Sequence, residues 1–270
     1  GGDVSVFNIG NLTLTGALTA GGRVNLGQST GLPDIDISIN ADVTAGEDIR
    51  IGAIRDVIVQ ADRTVRAYAS GTGPVNPLGV SLFAARSIIA NPGSTLASGS
   101  ATTQLGQINL LAGHAFGGPG GDVTISNVSG GDLSVRTTRD AANPFGGTIA
   151  TTGDISVTGG VFLNTSPFDL SVTAGDTSIS IGGDISAGTE VSLVSNGGSG
   201  STAGVDITVQ PGVTIRADAN GDGVGAVAFN ARTGMSLAGL LANGAPSGPR
   251  TNIVFLTNED NAYPALTTAR

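Results

Sequence analysis

The chain has 270 residues, with 44 Gly, 11 Pro, no Cys, 39% hydrophobic residues and only 12% charged and 4% aromatic ones. Its 12 basic residues are all Arg and stand singly against 21 acids, for a formal charge of −9, which argues against a nucleic-acid partner or an anionic membrane surface, because both are met by clustered cations. Plentiful β-branched runs exclude a disordered chain, glycines without a three-residue period exclude collagen, and the lack of Cys excludes disulfides, thiolate nucleophiles and zinc-thiolate sites.

From the first residues onward the chain reads as short strands that alternate apolar and polar side chains, such as Val4 and Val6 or Leu12 and Leu14. Period two means that one face is buried. Residues 15–26 then give the first copy of a repeat whose clearest members are residues 37–51 and 179–193, which align without a gap: Ile37 on Ile179, Asp42 on Asp184, Gly46 on Gly188, Ile49 on Val191. A looser copy spans residues 153–163. The shared pattern is Asp-apolar-polar-small-Gly-x-x-apolar-x-apolar, a strand, a Gly-permitted corner and a second strand. A second repeat pairs residues 88–96 with 207–215, each followed at equal distance by a further strand, at 106–110 and 225–229. Equal spacing predicts one coil geometry with a loop between Leu96 or Ile215 and the next strand. Alternation ends after Ile253 and Phe255.

Helical spacing is missing, and no run of 18 apolar residues offers a transmembrane helix. The start has no charged-then-apolar segment of signal-peptide type, and Gly1 opens directly in the repeat pattern, as a cut through a continuing structure would. Short strands every few residues suit a sandwich or a barrel as well, but sandwiches do not repeat internally, whereas a solenoid must: one coil cannot bury its interior alone. The expected fold is therefore all-β, a single-stranded parallel β-helix over residues 1–257, with 258–270 as a terminal cap or linker. At roughly 20 to 25 residues per coil the chain would hold on the order of 12 coils, about 55 to 60 Å in length.

The Asp-Ile-Ser-Ala-Gly core from Asp184 to Gly188, the stretch from Pro211 to Gly223 and the Gly-Ala-Val-Ala-Phe strand behind it resemble the filamentous-haemagglutinin type of exoprotein, the large adhesins exported by two-partner secretion. That resemblance implies a right-handed parallel β-helix, an extracellular or cell-surface location, and roles in adhesion or biofilm-type interaction. The function it implies is a structural shaft segment of a secreted adhesin. Its partners would be a glycan or another component of a host or neighbouring cell surface, or further copies of the chain. The alternative is a self-assembling extracellular filament or sheath subunit, with a polysaccharide-active β-helix enzyme third.

The residues offer little chemistry for that third reading. Asp34 and Asp36 could share a strand face as an acid pair or form the exposed side of an ordinary strand. His114 is the single histidine and has no ligating neighbour in sequence. The Gly-rich stretches 117–121 and 197–202 precede no helix, as a phosphate-binding loop would. Asp122, Asp132, Asp154 and Asp184 each follow Gly and precede an apolar residue, the place for an Asp that accepts backbone N–H bonds at a corner. No catalytic residue and no organic cofactor is expected.

Calcium is the one ion the sequence raises. Asp218-Ala-Asn220-Gly-Asp222-Gly223 matches the first half of a calcium loop, with oxygen ligands at alternate positions. The twelfth position, where a bidentate Glu belongs, is Phe229, an inward strand position, and the matching loop after Leu96 carries Gly99, Ala101 and Thr103 in those slots. The motif reads either as a calcium turn or as a plain polar turn, and the second predicts that Asp218→Ala does little to folding.

Overall fold

The computed structural model describes residues 1–28, 35–73, 77–113, 121–137, 147–165, 178–195, 207–231, 234–244, 252–257 and 267–268. Alternating β-branched segments favour half-buried strands, and the Gly, Asn and Asp between them end each strand after two to six residues. Strands Val4–Asn8, Leu12–Leu14 and Leu18–Ala20 form the first coil, and Val24–Gln28, Ile37–Ile39 and Val43–Ala45 stack on them in parallel as the second. Continued upward, every third strand joins the same sheet. The result is three parallel sheets of ten, ten and nine strands.

Sheet I runs from Val4–Asn8 to Asn252–Thr257, sheet II from Leu12–Leu14 to Thr267–Thr268, and sheet III from Leu18–Ala20 to Leu240–Asn243. No helix occurs among the described residues. The chain is a parallel β-solenoid, the all-β architecture that alternation and repetition predict. Both copies of the longer repeat, 37–51 and 179–193, pass through sheets II, III and I in the same order, and so do 88–96 and 207–215 with the strands that follow them.

The coils are on average longer, and fewer, than the roughly 20 to 25 residues and about 12 coils expected. Val24 stacks on Val4, 20 positions earlier, but Val227 stacks on Val191, 36 positions earlier. Ten strands in sheet I leave nine spacings of about 4.8 Å, a stack roughly 43 Å long rather than 55 to 60 Å. Longer connections take up the difference: thirteen positions separate Val161–Asn164 of sheet I from Ser178–Ile181 of sheet II. Residues 258–266, most of the segment read as a cap or linker, lie outside the described residues, while Thr267 and Thr268 pair with Ser236 and Leu237 of sheet II.

Two or more columns, largely of apolar side chains, line the inside of each sheet. Ile37, Val57, Ile88, Val123 and Ile149 lie in register on sheet II, all fully buried. Ile49, Val80, Ile108 and Leu133 do the same on sheet I. Each such side chain contributes about 1.5 to 3 kcal/mol by leaving water, and a slip of one residue would turn the whole column outward, so register is strongly specified. Phe229 fills the core above Leu193, and its ring stacks on Phe255 of the next coil at 5.6 Å between centroids.

Corners admit little bulk. The Gly188 N–H donates to the Val157 carbonyl at 3.0 Å, and a Cβ on Gly188 would lie 1.9 Å from the Thr158 carbonyl oxygen. Only glycine lets successive coils meet there.

The stack predicts the outcome of paired substitutions on one strand. Ile185 is buried between Ile155 and Ile215 of the adjacent coils, so Ile185→Asp should cost roughly 4 kcal/mol or more by placing an unpaired charge in the core. Ser186→Asp, one step along and facing outward, should change stability by less than about 0.5 kcal/mol. Denaturant unfolding compares them; equal midpoints would mean that the inward and outward faces have been misassigned.

Candidate functional site

The acids at the corners bond upward. Asp42 accepts the Thr64 N–H at 2.9 Å, Asp122 that of Thr148 at 2.8 Å, and Asp132 that of Gly160 at 2.8 Å. Asp154 accepts the Asp184 N–H at 3.1 Å, and Asp184 in turn accepts that of Thr214 at 2.7 Å. Asn11 and Asn127 do the same toward Asp36 and Asp154, at 2.9 and 3.2 Å. Corner Asp residues accept backbone N–H groups as their sequence context predicts, but the donor belongs to the next coil rather than to the residue's own turn. Each bond satisfies an amide at the first residue of a strand or the one before it, and so ties coil to coil at the corner.

Asp36, a candidate acid, lies in such a ladder. Its Oδ1 accepts from Arg55 Nε at 2.6 Å, Arg55 Nη2 closes a second bond onto Oδ2, and the Asp56 N–H reaches Oδ1 at 3.2 Å. Asp56, only 3% exposed, repeats the arrangement one coil up. It takes Arg86 Nε at 2.8 Å, Arg86 Nη2, and the Ser87 N–H at 3.0 Å. The Asp56 hydrogen bonds hold the Arg86 guanidinium charged more firmly than a free one. Bidentate forks of this kind fix planar geometry and occupy both carboxylate oxygens, which leaves Asp36 badly placed to shuttle a proton. Asp34, His114 and residues 197–202 lie outside the described residues, as does all of 117–121 but Gly121.

The structure brings Asp218, Asn220 and Asp222 together in one turn between sheets III and I. Asp218 is fully buried and adopts φ +51°, a left-handed conformation that a short polar side chain tolerates. Both its carboxylate oxygens accept the Gly223 N–H at 3.2 Å, and its carbonyl accepts the Gly221 N–H at 3.0 Å. Asn220 Oδ1 accepts the Asp222 N–H at 3.3 Å, and Asp222 Oδ1 accepts the Val224 N–H at 2.7 Å. Oxygens that a cation would draw together here close the turn on its own amides. Phe229, at the twelfth position, is fully buried in the core. Among the described residues no group of three or more His, Cys, Asp or Glu is placed to hold a metal.

A buried tyrosine marks another corner. Tyr68, at φ +48°, donates its hydroxyl to Asp48 Oδ1 at 2.7 Å. Burial first, and the Asp48 hydrogen bond second, push its pKa up to about 12, so the phenol stays a donor well into alkaline solution. The neighbouring Arg23–Glu47 pair, at 3.1 Å, is half exposed on both sides and contributes little.

What the sequence does not disclose is the outward face of sheet I. There Arg50, Ser81, Asn109 and Ser134 form one row across four coils, and Gly52, Phe83, Leu111 and Arg136 form the row beside it. All of these but Gly52, together with Leu78 and Leu110, line a shallow groove of about 370 Å³. The Arg50 guanidinium lies 5.8 Å from the Phe83 ring centroid. Each residue of the two rows occupies an outward slot of an ordinary alternating strand, and only the coil register shows that these slots adjoin.

No family model matches the chain, and no curated protein or solved structure shows significant similarity to it.

Burial revises one expectation for the polar turn. Asp218→Ala removes a fully buried acceptor of the part-buried Gly223 N–H and leaves Ala at a positive φ, so it should lower stability by about 1 to 3 kcal/mol, rather than little. Because the turn is closed by its own amides, calcium or a chelator should leave the melting temperature of the unmodified protein unchanged. A chelator that lowers it as far as Asp218→Ala does would show that a cation holds this turn.

Proposed function

We propose that this chain is a shaft segment of a secreted surface adhesin, a non-catalytic element that carries adhesive surfaces outside the cell and meets glycans or other components of a neighbouring surface. The observation that carries the reading is the unbroken register of the stack. Three sheets of ten, ten and nine parallel strands enclose one continuous apolar core. Such an object is stiff along its axis, because bending it would open the strand ladders and the columns of inward side chains together. Stiffness along one axis is what a shaft needs.

The placement of the charged groups supports a structural role over a catalytic one. Asp42, Asp122, Asp132, Asp154 and Asp184 bond the backbone of the next coil, and Asp36 and Asp56 are gripped by Arg55 and Arg86. A glycan-cleaving solenoid needs two carboxyl groups free to face one substrate bond. Secretion and the adhesin class follow from the resemblance carried by Asp184 to Gly188 and Pro211 to Gly223.

Small-angle scattering and light scattering over a rising concentration series test this. Monomers that stay monomeric, with a stacked core roughly 43 Å long, are the expected result. Ordered fibres forming from the pure chain would contradict it and make self-assembly the function.

A further inference from the structure

We propose that the outward face of sheet I between Arg50 and Arg136 binds a segment of an acidic polysaccharide, a chain of carboxylated sugars lying along the solenoid axis. This rests on the adhesive reading above and names the class of glycan. Charge points to it first. The protein carries −9, yet the two outward rows that hold Arg50 and Arg136 contain no acid from the coil of Ser5 to that of Val254. Both Arg side chains are exposed, and neither has an ion-pair partner among the described residues. Arg23, Arg55 and Arg86, by contrast, pair with acids, and Arg66 and Arg216 each donate to a backbone carbonyl, those of Gly99 and Gly244. Asp132, the acid nearest this face in its own strand, has Oδ1 on the Gly160 N–H.

The surface between the two cations suits sugar rings. Phe83 and Leu111, both half-buried, form an apolar floor one coil apart, and Asn109 and Ser134 line the adjacent row with amide and hydroxyl groups. Carbohydrate rings have an apolar C–H face for such a floor and equatorial hydroxyls for such a margin. The Phe83 ring beneath Arg50 holds its guanidinium in place while the fork of N–H donors stays available to a carboxylate. Arg50 and Arg136 stand three coils apart, about 14 Å along the axis. One coil spacing is close to the length of one sugar in an extended chain, so the pair spans about three rings. A peptide fits less well, because every strand of this part of sheet I already has a neighbour on both sides and offers no edge to extend.

Calorimetric titration with hexagalacturonate, alongside its neutral counterpart maltohexaose, tests the site on the full chain. The acidic oligomer should bind and the neutral one should not. Arg50→Gln and Arg136→Gln should each weaken binding roughly tenfold, the loss of one charge-assisted contact, and added salt should weaken it further. Phe83→Ala should weaken it as well, while Arg63→Gln, at an exposed turn between sheets II and III, should leave it unchanged. Unaltered melting temperatures would show that these surface variants still fold. Binding that survives the double Arg50→Gln/Arg136→Gln change overturns this site and leaves glycan adhesion standing. No binding of either sugar, by a chain that still scatters as a monomeric solenoid, overturns the site but not the shaft. Equally tight binding of polyglutamate overturns the assignment to polysaccharide.

Discussion

In this fold each inward side chain sits directly over its counterpart one coil below, about 4.8 Å away. Apolar residues satisfy that condition at any length of stack, since Ile over Val over Ile buries a continuous column, as Ile37, Val57 and Ile88 do on sheet II. Register is then self-reinforcing. Every correctly placed rung presents both a hydrogen-bonding edge and a row of apolar side chains for the next, and a rung displaced by one residue presents polar groups to the core.

Corners are the weak points of such a stack, because the chain leaves the ladder there. Side chains take over the task. Asp and Asn at the residue before a strand accept the corresponding amide of the next coil, and Asp36 and Asp56 add an Arg fork to the same bond. This accounts for where many of the protein's acids go. It also fits a chain in which only 12% of the residues are charged: the alternating outward positions need only be small and soluble, while acids are placed where an amide needs an acceptor. Sheet I departs from this economy around Arg50 and Arg136, which answer no acid in the described chain.

Strands and corners were legible in the sequence because both are local. The alternation of Val4 and Val6, and the match of Asp42 and Gly46 to Asp184 and Gly188, each fit within a dozen residues. Coil number was less legible, since it depends on which strands stack, and the interval from Val191 to Val227 contains a connection whose length hydropathy does not explain. The polar turn shows the same limit. The spacing of Asp218, Asn220 and Asp222 is identical for a cation loop and for a turn closed on its own amides, and burial of Asp218 decides its importance to the fold. Arg50 and Phe83 are 33 positions apart and adjoin only through the register of their strands.

Residue-resolved amide hydrogen exchange tests the stacking most directly. The corner amides of Thr64, Thr148, Gly160 and Thr214, whose acceptors are carboxylates one coil below, should exchange within about tenfold of the strand amides beside them, because the same opening must expose both. Exchange of these four at the rate of open loops, with the strands still protected, would contradict the coil-to-coil role of the corner acids.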